Sequence, residues 1–260
     1  MDFDRRLIGT HQVERLHGAL AASFQSWRER QTIFEFRSRF DVEAEIASFY
    51  GDYLQGPFRD QRGGSRFDNA LWLTLIAKAL APSLIVDSGT FTGGSAWALA
   101  RGAPGARIFS FDIDLSHLRR RVANAEYVES DWTARNFSRV ETSDALCYFD
   151  DHVDQARRLI EAHERGFRYA IFDDDYPITS FAHIARDASV LPKVEFVLDD
   201  DLRDGDVVEW SAEGAQHRWI VDAAYLARAR RTIAATERLP DTSLITGIHQ
   251  APYRVVRFAR

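Results

Sequence analysis

At 260 residues, 45% of them hydrophobic and 28% charged, the chain has the make-up of a globular protein that can bury a full core. Its net charge of -6 excludes the overall basic character that nucleic-acid or anionic-membrane binding would favour, and a single cysteine, Cys147, excludes an internal disulfide and suits a reducing cytoplasm. The opening residues lack the apolar stretch of a signal peptide. The most apolar window, 70–86, is broken by Lys78 and Pro82 before it could span a membrane, so a cytoplasmic location is expected.

In chain order, Val13, Leu16, Leu20 and Phe24 recur at helical spacing and predict a helix over 12–30. Residues 32–40 alternate only briefly. Asp41 is placed to cap a helix through 53, with Glu43 and Glu45 in its first turn. Gly56-Pro57 and the run Gln61 to Ser65 then break the chain. This divides it into 1–66, read as a helical cap over the site, and a larger domain over 67–260. The cap's amphipathic helices suit plain packing or a homo-oligomer contact equally well.

From 67 onward the rhythm changes. A helix over 69–80 precedes a strand at 83–87, a helix at 95–101 and a strand at 106–112. Further strands fall at 125–129, 145–150 and 169–173, with a helix at 153–162. Strands and helices alternating in this way predict an α/β fold around a parallel sheet. Residues 199–213 read as a polar loop and 218–235 as a long helix. The tail, 244–249 and 253–258, reads as an antiparallel hairpin around Gln250-Ala251-Pro252.

Leu84 to Ser95 reads as strand, tight glycine turn and helix, with Asp87 ahead of Gly89, Gly93 and Gly94. This departs from the dinucleotide fingerprint G-x-G-x-x-G. Asp112 closes the second strand, about 20 residues past the glycines, where an acid can accept hydrogen bonds from ribose hydroxyls. The third strand is followed by Asp131 and Trp132. Strands four and five end in Asp150-Asp151-His152 and Asp173-Asp174-Asp175. Five such carboxylates repel one another unless a cation joins them, and hard oxygen donors favour Mg²⁺, Ca²⁺ or Mn²⁺.

The acid-x-Gly-x-x-x-Gly-Gly-Ser motif resembles motif I of the class I S-adenosylmethionine (SAM) methyltransferases. The reversed C-terminal strand is similar to their Rossmann-like, mainly parallel seven-stranded sheet. The Asp-His pair and the acids after strand five resemble the metal site of cation-dependent O-methyltransferases of the catechol type and the macrocin O-methyltransferase group. The resemblance implies SAM as cofactor, a divalent cation such as Mg²⁺, and methyl transfer to a hydroxyl of a small molecule: a sugar, polyketide or other natural product.

It assigns the cofactor to Asp87, Ser88, Gly89, Thr90, Gly93, Gly94, Ser95 and Asp112, with Asp131 facing the adenine amine and Trp132 stacking. Asp131 serves equally as a helix cap before Thr133. The metal falls to Asp151, Asp174 and Asp175, with Asp150 and Asp173 as rivals one residue away. The catechol type places a lysine soon after its Asp-His pair, and here that neighbourhood holds Val153 and Asp154. His152 is therefore the first candidate base, with Asp154, His183 and His249 behind it. Two other readings stand beside this one: a hydroxylase on the same scaffold, similar to the cephalosporin hydroxylase group, and a non-catalytic binding module. The interval from Asp112 to Asp131 is short beside a βαβ unit of about 30 residues, so the crossover helix there must be short or lost.

Overall fold

The computed structural model describes residues 10–60, 63–176, 190–212 and 215–260. Three helices, α1 (Thr10–Arg30), α2 (Val42–Gln55) and α3 (Phe67–Leu80), precede the first strand. Asp41 caps α2, its side chain accepting from Ala44 N at 3.0 Å. The central elements follow as β1 (Leu84–Ser88), α4 (Gly94–Gly102), β2 (Arg107–Asp112), β3 (Ala125–Glu129), β4 (Leu146–Phe149), α5 (Gln155–Glu164) and β5 (Tyr169–Phe172). The last part holds α6 (Val194–Leu198), β6 (Val207–Ala212), β7 (Ala215–Ile220), α7 (Ala223–Arg231), β8 (Ile233–Arg238), α8 (Ser243–Thr246) and β9 (Arg254–Phe258).

Seven strands form one sheet in the order β3-β2-β1-β4-β5-β9-β8. β1 to β5 run parallel, while β9 runs antiparallel to both β5 and β8. The period-two alternation of side chains sorts the sheet into two cores. Ile85, Leu146, Tyr148, Tyr169 and Ile171 face the layer built by α1 to α4. Leu84, Val86, Cys147, Phe149, Ala170 and Phe172 face the layer that holds α5 and α7. Cover on both faces is why β1, β4 and β5 are buried along their whole length and read as continuous apolar runs.

Helices α1 and α2 belong to that first layer. Phe24, Trp27, Phe49 and Trp72 share one core with the sheet, and the Trp27 indole donates to Glu237 of β8 at 2.8 Å. As expected, the crossover from β2 to β3 has lost its helix, keeping a single 3-10 turn at Leu115–His117. No helix among the described residues is long and apolar enough to cross a membrane.

Three expectations for the C-terminal part need correction. The polar stretch before 213 is strand β6, paired with β7 from Val207↔Ile220 to Ala212↔Ala215, because Trp210 and Trp219 find a small core with Leu191 and Phe196. The long helix over 218–235 is divided among β7, α7 and β8. Thr232 ends α7, its hydroxyl donating to Ala229 O at 2.7 Å, and the chain turns into the sheet. The hairpin partner of β9 is therefore β8. The 244–249 stretch holds the short helix α8, and Leu244 is 96% exposed because no sheet face is there to cover it.

Candidate active site

Ligands of open parallel sheets bind beyond the carboxyl ends of the strands, where the strand order reverses. In this sheet the reversal lies between β1 and β4, and a cleft of about 470 Å³ opens there. Ser88, Gly89, Phe91, Asp112 and Ile113 form one wall; Asp131, Asp150, Asp151, His152 and Arg158 form the other, with Gly63 and Gly64 at its edge. No residue of α1 or α2 lines it.

The glycine turn fits tightly against its surroundings. Gly89 has φ +97, and a Cβ there would lie 2.2 Å from the Asp150 carbonyl oxygen; at Gly93, φ +89, it would lie 2.6 Å from that of Arg120. These glycines thus admit neighbouring backbone, which brings the tips of β1 and β4 together. Of the motif, Ser88 and Gly89 wall the cleft. Asp87, Thr90, Gly93, Gly94 and Ser95 are buried behind that lining. Burial pushes the Asp87 carboxyl up to about 7, against hydrogen bonds from Ser110, at 2.6 Å, and Ser95. Asp112 does reach the cleft. One of its oxygens accepts from Phe91 N at 2.7 Å and the other from Asp114 N at 3.1 Å.

At the β3 side the expectation fails in part. Trp132 is fully buried among Phe137, Phe149 and Phe167 and offers no face to the cleft. Asp131 lines the cleft but is held by Arg158, whose side chain is 1% exposed. The Arg158 guanidinium also reaches Asp151, at 2.8 Å, and Glu161, at 2.7 Å. Burial raises the Asp131 carboxyl, but hydrogen bonds from Arg158 and Thr133 outweigh it and hold the group down at about 2. Arg158 was not foreseen. Its only sequence signal is an arginine inside an amphipathic helix, which ordinarily means a solvated face.

The acids after β4 and β5 divide into four settings. Asp150, His152 and Asp174 each offer a ligand atom, all within 4.8 Å of one another. The His152 Nε2 lies 3.8 Å from Asp150 and 3.9 Å from Asp174. His152 and Asp174 hold left-handed backbone, φ 52 and 54, which residues other than glycine seldom adopt. Asp151 is not in this set: it accepts from Ser88 Oγ at 2.5 Å and pairs with Arg158. Asp175 is not in it either, being wholly buried against Arg254 with Glu195 N at 2.7 Å. Of the expected ligands, Asp174 lies in the group whose geometry could hold an ion, together with the rival Asp150, whereas Asp151 and Asp175 lie outside it. Asp173, the other rival, accepts from the Tyr148 hydroxyl at 3.0 Å.

Asp154 is likewise displaced from a catalytic place. It caps α5 through Arg157 N and accepts from the Tyr225 hydroxyl at 2.7 Å. His249 is exposed beside the Tyr176 hydroxyl, and His183 lies outside the described residues. Burial, then the charges of Asp173 and Asp174, push Asp150 well above the usual carboxylate range. Burial and Asp174 push Asp173 up to about 8. The buried Lys193, one of two lysines in the chain, opposes both shifts. Its place beside the acids depends on α6, which packs from a remote part of the chain.

No family model matches this chain, and no curated protein matches it. Among solved structures, one similar fold is a putative O-methyltransferase from Klebsiella pneumoniae (11% identity over 92% of this chain and 97% of that one, TM-score 0.46). Another is the O-methyltransferase TomG from Streptomyces achromogenes, in complex with SAM (12%, 93% and 96%, TM-score 0.46). A third is an O-methyltransferase from Bacillus cereus in complex with SAH (12%, 93% and 99%, TM-score 0.40). Independently of these, the strand order with β9 alone reversed between β5 and β8 settles the architecture. The fold is the Rossmann-like fold of class I methyltransferases.

Proposed function

We propose that the protein is a SAM-dependent, divalent-cation-dependent O-methyltransferase acting on a hydroxyl of a small molecule. The observation that carries this reading is the charge of the cleft. Asp112, Asp131, Asp150 and Asp151 wall it, and Arg158, the one arginine lining it among the described residues, is already committed to carboxylates. Such a cleft attracts a sulfonium and an ammonium group and repels the pyrophosphate of a dinucleotide. The residues present fit the cofactor: Asp112 can accept from ribose hydroxyls, and the exposed apolar faces of Phe91 and Ile113 suit a flat base.

The donor set also fits a hard cation. Asp150, His152 and Asp174 would hold it, two carboxylates and an imidazole, as Mg²⁺ or Mn²⁺ sites accept. Burial and mutual repulsion raise the Asp150 and Asp173 carboxyls, and a dication held beside them would offset that repulsion and favour their charged forms. When bound, such an ion stabilises the deprotonated acceptor oxygen and fixes its position. The chain's own part is to orient and to shield. Asp112 and the Ser88-Gly89 turn hold the donor, the αL backbone at 152 and 174 aims two ligands at one point, and the Phe91 and Ile113 side limits water. Calorimetric titration of S-adenosylhomocysteine with and without Mg²⁺ tests the reading. Binding that strengthens the subsequent uptake of Mg²⁺ supports it, and no binding in either condition removes it.

A further inference from the structure

The loop that replaces the crossover helix carries three consecutive exposed arginines, Arg119, Arg120 and Arg121. In a chain of net charge -6, none of the three has a carboxylate partner among the described residues. Some other exposed arginines do have one: Arg37 pairs with Asp144, Arg157 with Glu161 and Arg228 with Glu164. The acids nearest to the strip in sequence are engaged elsewhere. Asp114 caps the 3-10 turn and lies 4.0 Å from His117, Glu126 pairs with Arg107 and Arg135, and Glu129 accepts from Leu115 N.

The strip is also fixed in place beside the cleft. The loop leaves β2 through Asp112 and Ile113, both in the cleft wall. It folds back so that Arg119 N donates to Thr92 O at 3.1 Å and the Arg120 carbonyl rests on Gly93, where a Cβ would not fit. The His117 ring meets that of Phe91, a cleft residue, at 5.6 Å, and the Arg121 guanidinium lies over Tyr127 at 4.9 Å. Backbone so anchored holds the start of the strip against the glycine turn that borders the cleft, while the Arg121 side chain lies on Tyr127 of β3.

We propose that this strip binds an anionic group, a phosphate or a carboxylate, of the acceptor molecule. The acceptor part of this inference rests on the methyltransferase reading; anion binding by the strip does not. The acid-lined cleft repels an anion, so a negatively charged acceptor can present only its hydroxyl there. Its anionic end must stay at the rim, where guanidinium groups offer paired donors matched to phosphate and carboxylate oxygens. The acceptor class is therefore a small anionic metabolite long enough to reach from the rim to the Asp150–His152–Asp174 group.

The test titrates inorganic pyrophosphate into the full chain saturated with S-adenosylhomocysteine, for the parent and for the combined Arg119→Gln, Arg120→Gln, Arg121→Gln variant. The expected result is pyrophosphate binding that weakens with salt and falls by about tenfold or more in the variant, with S-adenosylhomocysteine affinity unchanged. The single variant Arg120→Gln, with an intermediate loss, supports the same conclusion should the combined variant fold poorly. Equal pyrophosphate binding by parent and variants, or none by the parent, overturns the proposal. Competition between pyrophosphate and S-adenosylhomocysteine overturns it too, since the anion would then be the cofactor's own carboxylate. Much tighter arginine-dependent binding of a short single-stranded RNA than of pyrophosphate would overturn it in favour of a nucleic-acid surface. A parent that fails to bind S-adenosylhomocysteine, yet binds pyrophosphate through these arginines, refutes the methyltransferase reading and leaves the anion site standing.

Discussion

Asp174 and Asp175 are adjacent carboxylates with opposite surroundings. Asp174 faces Asp150 and His152, whereas Asp175 is sealed against Arg254 and Glu195 N. Asp174→Asn should therefore weaken Mn²⁺ binding by at least about tenfold while leaving S-adenosylhomocysteine affinity intact, a split readable by calorimetry. Asp175→Asn should instead cost stability, about 3 kcal/mol, by removing the fully buried one of the two carboxylates, Asp175 and Glu195, that pair with the buried Arg254. Equal loss of metal in both variants would show that this division is wrong. Asp87 yields a pH effect. The unfolded chain gives up its proton near the ordinary aspartate value of about 4, whereas the folded chain keeps it up to about 7. The folded state then binds the extra proton between those values, so stability falls as pH rises through that window and levels off above it. In melts across pH 5 to 8, Asp87→Asn should lose less stability than the parent; parallel curves would count against the buried proton.

Among the elements, the tips of β1, β3 and β4 are tied by a single side chain from α5. Arg158 reaches Asp131 and Asp151, and Asp151 in turn holds Ser88. Since the guanidinium is wholly buried, Arg158→Met removes one cation and leaves two carboxylates uncompensated. A stability loss of about 3–5 kcal/mol is expected in denaturant unfolding, together with weaker S-adenosylhomocysteine binding. A loss below about 1 kcal/mol would mean that the cluster contributes no more than a surface pair. Gly89 has a comparable role in the backbone: its turn and the β4 tip approach too closely for any Cβ. The hairpin β6–β7 shows the contrary case, an element made by tertiary contact alone. Its small core of Trp210, Leu191 and Phe196 joins residues from both sides of α6.

Over the whole molecule, helices α1 and α2 act as a layer of the fold. Leu20, Phe24, Trp27, Ile46 and Phe49 are each under 5% exposed and pack with Trp72 and the sheet. Burying such side chains contributes about 1.5–3 kcal/mol apiece, so five of them together are comparable to the whole net stability of a typical domain. A chain beginning at residue 67 should therefore fail to give a cooperative melt and should aggregate on expression. A soluble, cooperatively melting product would support 1–66 as a separable cap.

The sequence by itself determined the alternation of strand and helix from 67 to 173, the reversed last strand, the glycine turn, the missing crossover helix and the acids at the strand ends. These are local signals: apolar runs, turn chemistry and spacing belong to neighbours along the chain, and backbone geometry reads them directly. What only the tertiary structure decided was which acid faces which partner. Asp150, Asp151, Asp174 and Asp175 are chemically alike, and Arg158, Arg254, Ser88 and Lys193 reach them from distant elements. Trp132 was expected to stack on a base, but the core on one face of the sheet surrounds it with Phe137, Phe149 and Phe167, phenylalanines from three segments. The β8 strand was hidden for the same reason. Its residues have no strong local preference, and the vacant edge of β9 supplied the hydrogen bonds that made them a strand.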